Sequence, residues 1–124
     1  MATILLVDDE DLLREGVREI LEMSDHQVIE AGDGLEALEK FATSDKIDLV
    51  ITDVVMPNMD GVDFVTKLRS MFPDVPILTI SGGSRVVSAR FGLDSALLSG
   101  ANASLTKPFN AKQLIEKVQQ LLGA

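Results

Sequence analysis

Five short apolar runs divide this chain, and each is followed by a stretch in which apolar residues recur at helical spacing. The runs are Thr3–Val7 (TILLV), Gln27–Ala31 (QVIEA), Asp48–Thr52 (DLVIT), Val75–Ser81 (VPILTIS) and Ala103–Thr106 (ASLT). All five read as strands, and the continuous aliphatic and β-branched first and third read as strands buried on both faces. Between them, Leu13, Val17, Ile20 and Leu21 give Asp11–Met23 an apolar stripe. A second helix is predicted from a cap at Asp33, with Glu36 at the capping-box position, to Thr43, with Leu35, Leu38 and Ala42 facing inward. Val65, Leu68 and Phe72 place a third helix over Val62–Met71. Ser84–Arg90 reads as a long loop or a frayed helical start, and Gly92–Ser99 as a helix stopped by Gly100. Asn110 and Gln113 open a last helix whose buried face is Leu114, Val118, Leu121 and Leu122.

Strand and helix alternate five times, which predicts an α/β fold with a parallel sheet, right-handed crossovers and helices on both faces. A length of 124 residues suits one domain around one sheet, and no linker interrupts residues 1–124. Met1 favours a natural start, and no output domain is expected within the chain.

Composition narrows the function classes. The chain is 46% hydrophobic, as a folded domain requires. No apolar run approaches the roughly 18 residues that read as a membrane span. The opening MATILLVDDE lacks a basic lead into an apolar core, so it is not a secretory signal. There is no cysteine, which excludes disulfide and thiolate chemistry and fits the expected cytoplasmic setting. A formal charge of −9 opposes non-specific nucleic-acid binding and favours cations and basic partner surfaces.

Parallel strands end on one edge, so their last residues meet there. Asp8 and Asp9 follow the first strand, Asp53 follows the third, Ser81 closes the fourth and Lys107 follows the fifth. Pro57, Asn58, Asp60 and Gly61 turn the chain just beyond Asp53. Three crowded carboxylates repel one another and raise each other's pKa. A hard divalent cation with oxygen ligands relieves that, Mg²⁺ being the natural candidate, and so does the ammonium of Lys107. A metal, a lysine and the Ser81 hydroxyl around one carboxylate match the charge of a phosphoryl group.

Three motifs then resemble one family, the receiver domains of two-component response regulators. They are VDDE at Val7–Glu10, DVVMPNMDG at Asp53–Gly61 and LTKPF at Leu105–Phe109. The likeness runs from Thr3 to Leu122, nearly the whole chain, and is nearest in form to single-domain chemotaxis-type regulators. It implies a doubly wound, flavodoxin-like (βα)5 fold with strand order 2-1-3-4-5. By the same resemblance, Asp53 is the phosphoacceptor, loaded from a phosphohistidine on a sensor histidine kinase or histidine phosphotransfer protein. Asp9 and Asp53 ligate Mg²⁺ directly, Asp8 acts largely through water, and the backbone carbonyl of Val55 completes the protein ligands. Ser81 is the switch hydroxyl, Lys107 pairs with Asp53 and then with the phosphate, and the Lys107–Pro108 peptide is cis. A downstream protein reads the change on the face made by the fourth helix, fifth strand and fifth helix.

Two positions depart from the family pattern. The position three before the motif lysine, normally aromatic, is Ser104, so an aromatic in-or-out switch is impossible there. The span from Ser81 to Lys107 is longer than the family leads one to expect, with the excess placed in Gly82–Phe91, which carries Arg85 and Arg90.

Other features have bland readings. His26 sits in a predicted turn and lacks the helical bundle of a phosphodonor histidine. Gly32-Asp33-Gly34 reads as a helix entry, and Ser81–Arg85 (SGGSR) lacks the lysine followed by Ser or Thr of a phosphate-binding P-loop. Met56 and Met59 read as loop packing. Two function classes compete. One is a phosphorylation-controlled binding module with only slow self-dephosphorylation, and not a turnover enzyme. The other is a Mg²⁺-dependent aspartyl-phosphate phosphohydrolase, which usually needs an acid two residues past the nucleophile, where this chain has Val55. A receiver that signals without phosphorylation is a third alternative.

Overall fold

A computed structural model describes residues 2–44, 46–53, 61–81 and 100–123. The strands are β1 (Thr3–Val7), β2 (Gln27–Ala31), β3 (Leu49–Asp53), β4 (Ile77–Ser81) and β5 (Ala103–Thr106). The helices are α1 (Asp11–Met23), α2 (Gly34–Thr43), α3 (Gly61–Met71) and the C-terminal α4 (Ala111–Leu122). The predicted helix Gly92–Ser99 and the loop Gly82–Phe91 lie outside the described residues.

All five strands are parallel, in the order β2-β1-β3-β4-β5. This is the flavodoxin-like arrangement. Alternate residues of the inner strands face opposite layers. Leu5, Val7, Val50 and Ile77 pack with Ala37 of α2 and Phe64, Val65 and Leu68 of α3. Ile4, Leu6, Leu49, Ile51, Leu78 and Ile80 pack with Val17 and Leu21 of α1 and Leu114 and Val118 of α4. Every residue of β3 and β4 is buried, which is why those runs carry no polar alternation.

Boundaries moved at two strands. β3 includes Asp53, which pairs with Ile80, so the acid is the last residue of the strand and not the first of the loop. β4 begins at Ile77, since Pro76 has no N–H to offer, although its carbonyl still accepts from Val50 N at 3.0 Å.

The inner face of α2 also differs from expectation. Leu35 is 54% exposed and Ala42 is exposed, while Gly34 and Ala37 are buried and Leu38 and Phe41 pack against the core. Periodicity sets the spacing of a helical stripe, but the packing partner sets its phase, and Phe41 turns inward against Phe72 with ring centroids 4.3 Å apart. Asp33 caps α2 by accepting from Glu36 N, and Glu36 Oε1 accepts from Gly32 N. In α4 the box is complete: Asn110 Oδ1 accepts from Gln113 N at 2.8 Å, and Gln113 Oε1 accepts from Asn110 N at 2.9 Å. His26 is half-buried, with Nδ1 accepting from Ala2 N at 3.2 Å.

Candidate functional site

The carboxyl edge of the sheet gathers the strand-end residues. Asp8, Asp53 and Ser81 are 3%, 6% and 2% exposed, an unusual degree of burial for two carboxylates and a hydroxyl. One oxygen each from Asp8, Glu10 and Asp53 lies within 4.8 Å of the other two. Lys107 reaches this group from the end of β5, with Nζ 3.4 Å from Asp53 Oδ2 and 3.5 Å from Glu10 Oε1. Its own backbone N donates to the Ser81 carbonyl at 2.8 Å, so the β4–β5 ladder itself delivers the lysine to the site.

The carboxylates share one ammonium, and the electrostatics show it. Burial pushes the Asp8 carboxyl up to about 6, helped by the neighbouring charges of Asp53 and Glu10 and opposed by the Glu10 backbone N–H and by Lys107. Burial pulls the Lys107 ammonium down, but Asp53, Asp8 and Glu10 more than offset this and hold it above the usual lysine value. The Ser81 hydroxyl is buried with no hydrogen-bond partner among the described residues. A buried hydroxyl left unpaired is destabilising unless something arrives to use it.

The predicted site residues are not all brought together. Asp8, Asp53, Ser81 and Lys107 converge. Asp9 is exposed and stands outside the group of three carboxylates, whereas Glu10, the last residue of the VDDE motif and not among the expected ligands, belongs to it. The reason is local. Asp8 Oδ1 accepts from Glu10 N at 2.9 Å, and this tight turn carries Glu10 back towards Lys107. Val55 and the rest of residues 54–60 lie outside the described residues. Ser104 is half-buried in β5 opposite Thr79, and the Lys107–Pro108 peptide is cis.

Three oxygen donors around an excess of negative charge fit a hard divalent cation such as Mg²⁺, which prefers carboxylate oxygen and keeps several waters. The unpaired Ser81 hydroxyl and the Lys107 ammonium fit an anionic group placed beside that cation.

A doubly wound sheet with an acidic pocket and a lysine at its carboxyl edge defines a class of signalling domain, and comparison with known proteins places the chain within it. The family model for the response regulator receiver domain matches residues 4–119, and the chain belongs to that family. It is 40% identical over 119 residues to the response regulator MprA of Mycobacterium ulcerans, covering 96% of this chain and 49% of MprA. The chain thus spans about half the length of the curated relatives it matches. Among solved structures it is similar to the receiver domain of NtrX from Brucella abortus, with a TM-score of 0.88, 29% identity and 98% of each chain covered. It is likewise similar to the Vibrio cholerae chemotaxis protein CheY4, with a TM-score of 0.86, 33% identity and 98% of each chain covered. No helix among the described residues is long and apolar enough to cross a membrane.

Proposed function

We propose that this domain accepts a phosphoryl group on Asp53 from a phosphohistidine of a sensor histidine kinase or histidine phosphotransfer protein, in a Mg²⁺-dependent reaction, and thereby changes what it binds. The observation that carries this reading is the convergence of Asp8, Glu10, Asp53 and Lys107 beside the unpaired Ser81 hydroxyl.

A carboxylate oxygen of Asp53 attacks phosphorus, the bond from phosphorus to the donor imidazole breaks, and the imidazole nitrogen keeps the electron pair and takes a proton. Asp8 and Asp53 would hold the cation, joined by Glu10 or by Asp9 after a turn of its exposed side chain, and by the Val55 carbonyl. The cation, when bound, supplies compensation for the charge on the phosphoryl oxygens. Lys107 supplies the second positive charge, already 3.4 Å from Asp53. The Ser81 hydroxyl donates to a phosphoryl oxygen and so gains the partner it lacks.

Phosphorylation adds roughly −1.5 to −2 charges at the edge of the sheet. The arrangement that brings Lys107 and Ser81 to the phosphate is favoured, and the domain's population shifts towards it. Moving a 1:99 balance to 99:1 takes about 5.5 kcal/mol of differential interaction. A charge-assisted bond from Ser81 and a tighter Lys107 contact would supply a substantial part of that. With Ser104 at the usual aromatic position, the change travels by loop and helix movement or through another residue. The surface that reads it takes in β5 and α4, the described part of the face the family resemblance implies.

Intact mass after incubation with acetyl phosphate tests this directly. The expected result is one labile phosphoryl per chain, absent without Mg²⁺ and absent in Asp53→Ala. If neither acetyl phosphate nor a phosphorylated histidine kinase loads the folded wild type, the reading is wrong.

A further inference from the structure

Arg14 lies one turn inside α1, and its guanidinium engages three different partners. Nη1 donates to the Asp8 carbonyl at 2.6 Å, Nε to Glu30 Oε1 at 3.0 Å and Nη2 to Asp11 Oδ1 at 2.8 Å. The first of these bonds falls where β1 leaves the sheet. Val7 is the last residue of β1 in register, opposite Ala31, and Asp8 N still donates to the Ala31 carbonyl at 3.1 Å. Beyond that point Arg14 takes the Asp8 carbonyl that a longer ladder would have taken. The backbone N of Arg14 also donates to the Glu10 carbonyl at 2.9 Å. The guanidinium therefore holds the start of the connection 8–10, whose end is fixed by this first helical bond, and the connection carries two of the three clustered carboxylates.

The far side of the fork is anchored as well. Glu30 of β2 takes Arg14 on Oε1 and Arg18 Nη1 on Oε2 at 2.9 Å, and its carbonyl accepts from Lys40 Nζ at 2.6 Å. The guanidinium thus links the site's loop to β2 through a fixed carboxylate. A lysine could not copy this, since an ammonium lacks the planar fork that reaches three directions at once.

We infer that Arg14 is a positioning residue for the divalent-cation site: its guanidinium holds the 8–10 connection so that the Asp8 and Glu10 carboxylates stand ready beside Asp53. The inference rests on the metal-dependent reading of the site proposed above. Without the fork, three like charges relax by moving apart, and the cation must first draw them together again. Partners of this outer kind typically change metal affinity by about 10- to 100-fold.

The sign of the effect separates positioning from simple electrostatics. Deleting a nearby positive charge would by itself tighten cation binding, because the arginine repels the metal. Loss of positioning weakens it. Calorimetric titration of Mg²⁺ into wild type, Arg14→Met, Arg14→Lys and Arg18→Met, with folding checked by circular dichroism, reads this without any phosphoryl donor. Arg14→Met is expected to bind about 10-fold more weakly, and Arg14→Lys to weaken too although it keeps the charge. Arg18→Met loses a charge on the same Glu30 but leaves residues 8–10 untouched, and is expected to stay within about 2-fold of wild type, its arginine having no bond to the site's loop. If Arg14→Met does not fold, Arg14→Lys decides. Unchanged or tighter binding in the folded Arg14 variants overturns the inference. A wild type that binds no divalent cation overturns the metal-dependent reading itself, and the inference with it.

Discussion

Lys107 Nζ stands 3.4 Å from Asp53 Oδ2, joining residues that β3 and β5 bring together from 54 positions apart. The contact is long for an ion pair, since the ammonium also serves Glu10 at 3.5 Å. Lys107→Met would leave the clustered carboxylates without this ammonium. It is expected to destabilise the domain at pH 7.5 by about 2 kcal/mol, less than the roughly 3–5 kcal/mol for breaking a fully buried pair, because Lys107 and Glu10 are partly exposed. Added Mg²⁺ should recover most of that loss, because the cation takes over the charge. Urea unfolding with and without Mg²⁺ measures both quantities, and a loss that Mg²⁺ does not touch would separate Lys107 from the acidic group.

Asp8 makes stability depend on pH in a direction opposite to an ordinary paired carboxylate. Its carboxyl is raised from 3.8 to about 6, so the folded state holds the proton more tightly than the unfolded chain. The resulting stability is complete below pH 3.8 and is lost as pH rises through about 6. The shift corresponds to at most about 3 kcal/mol. Asp8→Asn, which keeps the acceptor for Glu10 N, should therefore be more stable than wild type at pH 7.5 without metal. The difference should vanish near pH 4, and urea midpoints across this window would show it.

At the opposite edge of the sheet, Arg69 of α3 donates to the carbonyls of Gly100, Phe72, Pro73 and Val75 and to Asn102 Oδ1, which also accepts from Ile77 N at 2.9 Å. This fastens the entry to β5. Arg69→Ala is expected to cost about 3 kcal/mol, as several mostly part-buried carbonyls lose a charged donor at once. Chemical denaturation tests it, and a cost under about 1 kcal/mol would mean water replaces the guanidinium freely.

Gly100 has φ +114°, and a Cβ there would stand 3.0 Å from Arg69 Cγ. Gly100→Ala thus combines backbone strain with a clash, at about 1–3 kcal/mol. Only the strain should survive in the Arg69→Ala background, so the double variant should be less unstable than the sum of the singles. Additive values would place the whole cost in the backbone.

Self-dephosphorylation is expected to be slow. Hydrolysis of an aspartyl phosphate needs a held water, and the residues two past Asp53 and two past Ser81 are Val55 and Gly83, neither of which offers a polar side chain. Loss of the phosphoryl followed by intact mass should extend over minutes or longer. Decay within seconds would require another group to position the water.

The sequence by itself determined the alternation of strands and helices, and with it the edge where Asp8, Asp53, Ser81 and Lys107 meet. Both follow from elementary facts: a doubly buried strand is mostly apolar, and parallel strands end on one edge. The strand order came from resemblance, since hydrophobic period says nothing about which strand lies beside which. What the tertiary structure decided was orientation. Asp9 and Glu10 are both acids just past β1, and only the turn closed by Asp8 Oδ1 and Glu10 N determines that Glu10 faces the cluster. Leu35 and Ala37 both fit a helical stripe, and only the packing of α2 against the sheet and α3 turns Ala37 inward. Nothing in the sequence marks Arg14 or Arg69, because their partners are backbone carbonyls and side chains that the fold brings from other segments. Periodicity records what must be buried, whereas the direction of a long polar side chain depends on which acceptors the folded chain leaves open around it.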